Sequence, residues 1–378
     1  MVGMKRYLQD QIRIDLDRKM ILLSGPRQVG KTVLAKALMA DFKHPQYLNY
    51  DNLEDALITQ RRSWAANADF LILDEIHKMR DWKSFLKGTV DSRPPNQGIL
   101  VTGSARLDTF RQSGESLAGR YLPFHLHPLS VKELAGQLAP AEALARLNRF
   151  GGFPEPFLSG SETEAARWRN QYYTDLVRED VVEFSRIHEV RAMRLLVELL
   201  RKRVGSPLSL ASLSGDLKVA PNTLRSYLDI LISLHIVFPV RPFHLNIARA
   251  IQKEPKIYFY DTGFVEGDEG VRLENTVAVS LRKHVDYLRD VRGEVMGLHY
   301  VRTKDKREVD FALADTEKIL SLIEVKVSDN TPASGLKYLA RELGVSSAIQ
   351  LVENLRQPQS IAGVHVVGAA DWLATLSA

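Results

Sequence analysis

Between Met20 and Leu129 the chain alternates short apolar runs with stretches of helical character. The runs are Met20-Ile21-Leu22-Leu23, Gln46-Tyr47-Leu48-Asn49-Tyr50, Phe70-Leu71-Ile72-Leu73 and Ile99-Leu100-Val101-Thr102. A strand that is apolar at consecutive positions, without polar alternation, is buried on both faces, and helices between such strands predict a parallel α/β sheet. From about Ser130 to Leu200 the pattern turns helical, broken at the turn-forming cluster Gly151-Gly152-Phe153-Pro154-Glu155-Pro156. Strand-like runs return after His235, at Lys256-Ile257-Tyr258-Phe259-Tyr260, Glu308-Val309-Asp310-Phe311-Ala312-Leu313 and Leu320-Ser321-Leu322-Ile323-Glu324-Val325-Lys326. No internal repeat or low-complexity tract interrupts this order. The texture predicts three domains: an α/β domain over 1–135, a helical segment over 136–250, and a second α/β domain over 251–378.

Composition narrows the class. At 378 residues, 45% hydrophobic and 26% charged, the chain has the balance of a water-soluble globular protein with more than one core. No apolar run approaches the ~20 residues a bilayer-spanning helix needs, so no membrane insertion is expected. The amino terminus meets charge at Lys5 and Arg6 and never builds the apolar stretch and small-residue cleavage site of a signal peptide, so a cytoplasmic address is expected. The absence of cysteine excludes disulfides and thiolate metal sites. A net charge of +5 permits nucleic acid as a partner without requiring it.

The first motif that carries chemistry is Gly25-Pro26-Arg27-Gln28-Val29-Gly30-Lys31-Thr32, which fits G-x-x-x-x-G-K-[ST] and stands between an apolar run and a helical stretch. Glycines let the backbone curl so that N–H groups surround phosphate oxygens, Lys31 adds positive charge near the β- and γ-phosphates, and Thr32 offers its hydroxyl to magnesium. Phe70-Leu71-Ile72-Leu73-Asp74-Glu75 then delivers two carboxylates at a strand end. Asp74 is placed to hold the magnesium shell and Glu75 to activate the attacking water. ATP and Mg2+ are the expected cofactors. Thr102 and Ser104, after the next apolar run, are candidates to stand beside the γ-phosphate, with a plain turn as the alternative. Arg120 is either a surface salt-bridge residue or an arginine supplied to a neighbouring subunit's phosphate, which would require a homo-oligomer.

These residues carry a resemblance. Leu22 to Thr32, Leu73-Asp74-Glu75-Ile76-His77, Thr102-Gly103-Ser104, Leu117-Ala118-Gly119-Arg120, Pro128-Leu129-Ser130 and Gly151-Gly152-Phe153-Pro154 together resemble prokaryotic AAA-type P-loop ATPases with a C-terminal domain of unknown function. The resemblance runs over nearly the whole chain. It implies an AAA+ fold, ATP binding and a ring or partial ring of subunits.

Residues Leu208 to Phe243 predict two short helices joined by a turn at Lys218-Val219-Ala220-Pro221, followed by the extended Ile236-Val237-Phe238-Pro239-Val240-Arg241. That order is a winged helix-turn-helix. Asn222, Thr223, Arg225 and Ser226 would meet phosphates or base edges of DNA, while Arg241, His244, Arg249, Lys253 and Lys256 would sit on or after the wing. A lid or a protein-docking surface is the other use of such a module.

Further on, Asp310 stands on one strand, and Glu324 and Lys326 stand two apart on the next, hence on one face. If the strands are neighbours, Asp310 and Glu324 can share a divalent cation, with Lys326 stabilising developing charge and Glu274 adding a third carboxylate. The pattern resembles the PD-(D/E)XK nuclease core, a fold that also occurs in proteins without cleavage. The combined expectation is an α/β chain made of an AAA+ P-loop domain, a helical linker with a winged helix-turn-helix, and a restriction-endonuclease-like α/β domain. Its expected function is ATP hydrolysis that controls nucleic-acid binding and metal-dependent cleavage. The alternative is a nucleotide-dependent switch or scaffold that binds a protein partner without cleavage. A small-molecule kinase is disfavoured, because nothing after the P-loop supplies an acceptor site.

Overall fold

The computed structural model describes residues 4–103, 117–176, 190–244 and 253–378. Two compact units divide the chain: Met1–His127 with the tripeptide Ser233–His235, and Pro128–Ile232 with Ile236–Ala378.

In the first unit, β1 (Met20–Ser24), β2 (Pro45–Asn49), β3 (Phe70–Asp74), β4 (Gly98–Thr102) and β5 (Tyr121–His125) form a sheet in the order β2-β3-β4-β1-β5. Every pairing is parallel. The three inner strands are buried at each residue, which is why their sequences lack alternation, whereas in the edge strand β2 only Leu48 is buried. One face packs Met20, Leu22, Leu71, Leu73, Ile99 and Val101 against Trp82 and Leu86 of the helix Trp82–Asp91. Register sets Asp74 between Asn49 and Thr102, so the carboxyl ends of β2, β3 and β4 bring three polar residues side by side. In open parallel sheets this is the end at which ligands bind.

The second unit holds β6 (Val237–Pro242), β7 (Lys256–Phe259), β8 (Gly297–Arg302), β9 (Glu308–Ala314), β10 (Ile319–Lys326), β11 (Ser347–Val352), β12 (Gln359–Ile361) and β13 (Val364–Gly368). They lie in one sheet of order β12-β13-β11-β10-β9-β8-β6-β7. The helices Leu210–Leu217 and Pro221–Ser233 form as the pattern predicts, with Leu213, Leu217, Leu224, Leu228 and Leu231 buried and Lys218 turning the chain at φ 55°. The strand expected as a wing differs. β6 pairs antiparallel with β7 and parallel with β8, so it is an inner strand of the C-terminal sheet, and Arg241 sits opposite His299 rather than on a free wing. The predicted boundary at residue 250 thus falls between two strands that pair with each other. Elsewhere in this unit Lys283 Nζ reaches Glu133 Oε2 at 2.6 Å and Arg169 Nε reaches Asp261 Oδ2 at 2.9 Å; in each pair both side chains are buried. Buried charges of this kind persist only when paired and hydrogen-bonded.

Candidate functional site

The loop between β1 and the helix Lys31–Leu38 has the backbone that its motif requires. Gly25 (φ 140°) and Gly30 (φ 102°) occupy conformations L side chains rarely adopt, and a Cβ on Gly25 would collide with the carbonyl oxygen of Leu126. Gln28 also takes a positive φ of 60° with its side chain exposed, as is that of Arg27, while Pro26 and Val29 are buried and seat the loop. Lys31 is buried and its ammonium donates to the carbonyls of Gly25 (2.9 Å) and Pro26 (2.7 Å). The lysine charge is thereby folded over the loop, where the helix N-terminus also favours an anion.

Asp74 ties the neighbouring elements together. Its Oδ2 accepts from the Thr32 hydroxyl at 2.9 Å and from the Tyr47 hydroxyl at 2.7 Å. Its Oδ1 accepts from the Thr102 hydroxyl and from the Glu75 backbone N–H. Thr102, a candidate for contact with the γ-phosphate, is therefore engaged with Asp74; Ser104 lies outside the described residues. Glu75 holds a left-handed backbone at φ 55°, a strained state for a non-glycine residue and one that recurs at functional sites. Burial and the adjacent Asp74 raise its pKa, opposed by Lys31 and Lys78. Magnesium keeps most of its waters and needs only one or two protein oxygens, which Thr32 and Asp74 can supply.

Three further residues stand at this site, two of which, Tyr47 and Arg6, lie outside its motifs. Tyr47 comes from β2, and burial followed by its bond to Asp74 raises its phenol pKa. His77 Nε2 lies 3.5 Å from Glu75 Oε2. Arg6, buried near the amino terminus, donates to the carbonyls of Val29 and His127, both at 2.7 Å, and so braces the P-loop from below. Arg120 forms a two-point ion pair with Asp91 of its own chain, at 2.7 and 3.1 Å.

In the second unit the predicted carboxylates do come together. The backbone N–H of Val325 donates to Asp310 Oδ2 (2.9 Å), that of Asp310 to Glu324 Oε2 (3.4 Å), and Lys326 Nζ to Glu324 Oε1 (2.8 Å). Glu274, from the helix Glu269–Tyr287, accepts from Tyr258 at 2.6 Å. Burial and the charge of Asp310 push both Glu274 and Glu324 up to about 7. Lys256, expected near a wing, is instead inside this cluster, 2.7 Å from Glu308, 3.5 Å from Glu274 and 3.6 Å from Asp310. Burial would lower its pKa, but Glu274, Asp310 and Glu308 more than offset this and keep the ammonium charged. Among the described residues no group of three or more His, Cys, Asp or Glu side chains is disposed to hold a metal ion. Of the set expected to share a cation, Asp310 and Glu274 thus flank a lysine while Glu324 pairs with Lys326, and the residues present do not fit a metal at that point. Asn222 and Arg225 are exposed and Thr223 is half-buried at the start of the helix Pro221–Ser233; Arg249 lies outside the described residues.

Comparison with known proteins agrees with the first unit. Residues 17–135 match the AAA domain family, 141–267 a domain of unknown function (DUF8612) and 269–372 another (DUF4143). An uncharacterized protein of Mycobacterium tuberculosis is 29% identical over 298 residues, covering 77% of this chain and 66% of the relative, so the match spans just under two thirds of that protein. An uncharacterized protein of Haemophilus influenzae is 22% identical over 99% of this chain and 98% of its own. Among solved structures, a Walker-type ATPase of Pyrococcus abyssi overlaps 69% of this chain and 95% of its own at 14% identity and a TM-score of 0.47. The family match and the loop geometry make the first unit a P-loop domain of the AAA type. No helix among the described residues is long and apolar enough to cross a membrane.

Proposed function

We propose that this chain binds ATP with magnesium at residues 25–32, hydrolyses it, and uses its nucleotide state to govern nucleic-acid binding by the second unit. The observation that carries the reading is the 2.9 Å contact between the Thr32 hydroxyl and Asp74, beside a buried Lys31 already folded over the phosphate loop. Thr32 and Asp74 would hold the magnesium, which would supply positive charge to the phosphate oxygens of bound ATP. Lys31 neutralises the same oxygens, Tyr47 and Thr102 keep the Asp74 carboxylate in place, and Glu75 accepts the proton of the attacking water. Arg120 is proposed to leave Asp91 and complete a neighbouring subunit's site in a homo-oligomer.

For nucleic acid, support comes from the exposed Asn222 and Arg225, and from the β8–β9 hairpin, whose tip exposes Lys304, Lys306 and Arg307. DNA is the proposed target. The test is the ATPase rate with and without DNA, together with DNA binding across a salt series. The reading expects a DNA-dependent rate and a steep loss of affinity with salt, because phosphate contacts release counterions. A rate indifferent to DNA, with no salt-dependent binding, would sink it.

The alternative, a nucleotide-dependent switch that docks a protein partner without cleavage, is favoured by one feature. Of the carboxylates that would hold a catalytic metal, Asp310 and Glu274 already flank the Lys256 ammonium, and Glu324 is paired with Lys326. Metal-dependent cleavage is separated from this alternative by incubating DNA and RNA with magnesium or manganese, with and without ATP. Cleavage lost in Asp310→Ala but not in Lys31→Ala would establish the nuclease.

A further inference from the structure

Two ammonium groups and four carboxylates meet where β7, β9, β10 and the helix Glu269–Tyr287 converge. Lys256 is 1% exposed, on a strand whose other residues, Ile257, Tyr258 and Phe259, are all buried. An ammonium taken this far from water costs several kcal/mol unless opposite charges surround it. Here Glu308 lies at 2.7 Å, Glu274 at 3.5 Å and Asp310 at 3.6 Å, from two elements: Glu308 and Asp310 stand two apart on one face of β9, and Glu274 comes from the helix. The Tyr300 ring lies 5.5 Å from the same nitrogen, Tyr258 donates to Glu274, and Arg302 lies 3.5 Å from Glu308. These separations suit N–H donors. Magnesium and calcium need oxygens at about 2.0–2.6 Å, so an ion in this place would require Glu274 and Asp310 to close in by roughly 1 Å each after the lysine had left.

We propose that Lys256 is the resident cation of this cluster: its ammonium holds the position between Glu274 and Asp310 and thereby excludes a divalent ion from it. The lysine supplies the positive charge between Glu274, Glu308 and Asp310, and it does so without an exchangeable metal. The inference deepens the reading of the second unit but needs neither nucleic-acid binding nor ATP hydrolysis to be right.

The experiment is Mn2+ binding to the full chain, free of nucleotide, followed by calorimetry and by the electron paramagnetic resonance of free Mn2+. Lys256→Met, which keeps the length and removes the charge, is expected to gain a Mn2+ site at least tenfold tighter than any in the unaltered chain. Adding Glu274→Gln to that variant is expected to remove the gain. Equal Mn2+ binding before and after Lys256→Met would overturn the proposal, as would a Mn2+ ion in the unaltered chain that Glu274→Gln alone removes. Should Lys256→Met not fold, the unaltered chain against Glu274→Gln decides: unchanged Mn2+ uptake supports the exclusion and reduced uptake refutes it. Failure of the nucleic-acid reading is seen separately, in DNA affinity against salt, and leaves the Mn2+ count unaffected.

Discussion

Lys31 and Glu75 perform different tasks at one site, and substitution should separate them. Lys31→Ala removes the buried charge over the phosphate loop and is expected to abolish nucleotide binding or turnover. Glu75→Gln keeps that charge, so ATP should bind while hydrolysis stops. Turnover at the ordinary rate in Glu75→Gln, measured by phosphate release, would show that another group accepts the proton. Tyr47→Phe tests a residue found only in the folded chain. It removes one of the hydrogen bonds that fix Asp74, while Thr32, Thr102 and the Glu75 N–H remain. The expected loss is about tenfold in kcat, or ~1.4 kcal/mol, with KM for ATP little changed. A change confined to KM would mean that Tyr47 acts on nucleotide affinity rather than on the carboxylate.

Elements decide what else the second unit can touch. The helix Pro221–Ser233 exposes Arg225 in its first turns, and Arg225→Ala is expected to weaken DNA binding evenly across sequences and to lower the log–log salt slope by about one. An unchanged slope in a salt titration would move the contact elsewhere. The same region shows what a sequence can carry. Gly25 to Thr32 and Asp74-Glu75 are legible because each motif is continuous and its task depends on adjacent residues. The helices at 210–217 and 221–233 are legible because their buried leucines recur at helical spacing. Tyr47, Arg6 and Lys256 are not, since each acquires its role from a partner fixed by strand register or by a distant segment. β6 is legible as a strand, but nothing within Val237–Pro242 says that its other edge pairs with β8, more than fifty positions later. For that reason a wing and an inner sheet strand read alike in the one-dimensional pattern.

For the whole molecule, the first question is assembly. If Arg120 completes a neighbour's site, Arg120→Ala mixed with Lys31→Ala should recover part of the ATPase activity that neither has alone, because one mixed interface pairs an intact loop with an intact arginine. Mixed oligomers that form without any recovery would assign Arg120 to its bond with Asp91. A second question concerns where the chain can be cut. The buried pair Lys283–Glu133, the bond from Asn148 to Glu353 and the β6–β8 ladder join residues on opposite sides of position 268, where the matched family segments meet. Expressing 1–268 and 269–378 separately would strip the partner from a buried lysine, bare the edge of β8, and leave a stump at each end. Each piece should accumulate as insoluble protein, and the two produced together in one cell should restore soluble material by fragment complementation. Soluble, protease-resistant 269–378 on its own would show that this segment matures independently. The practical consequence is that an expression plasmid or a crystallisation trial should carry this region whole, from Pro128 onward, and that a nonsense codon near 268 should act as a loss of the entire second unit.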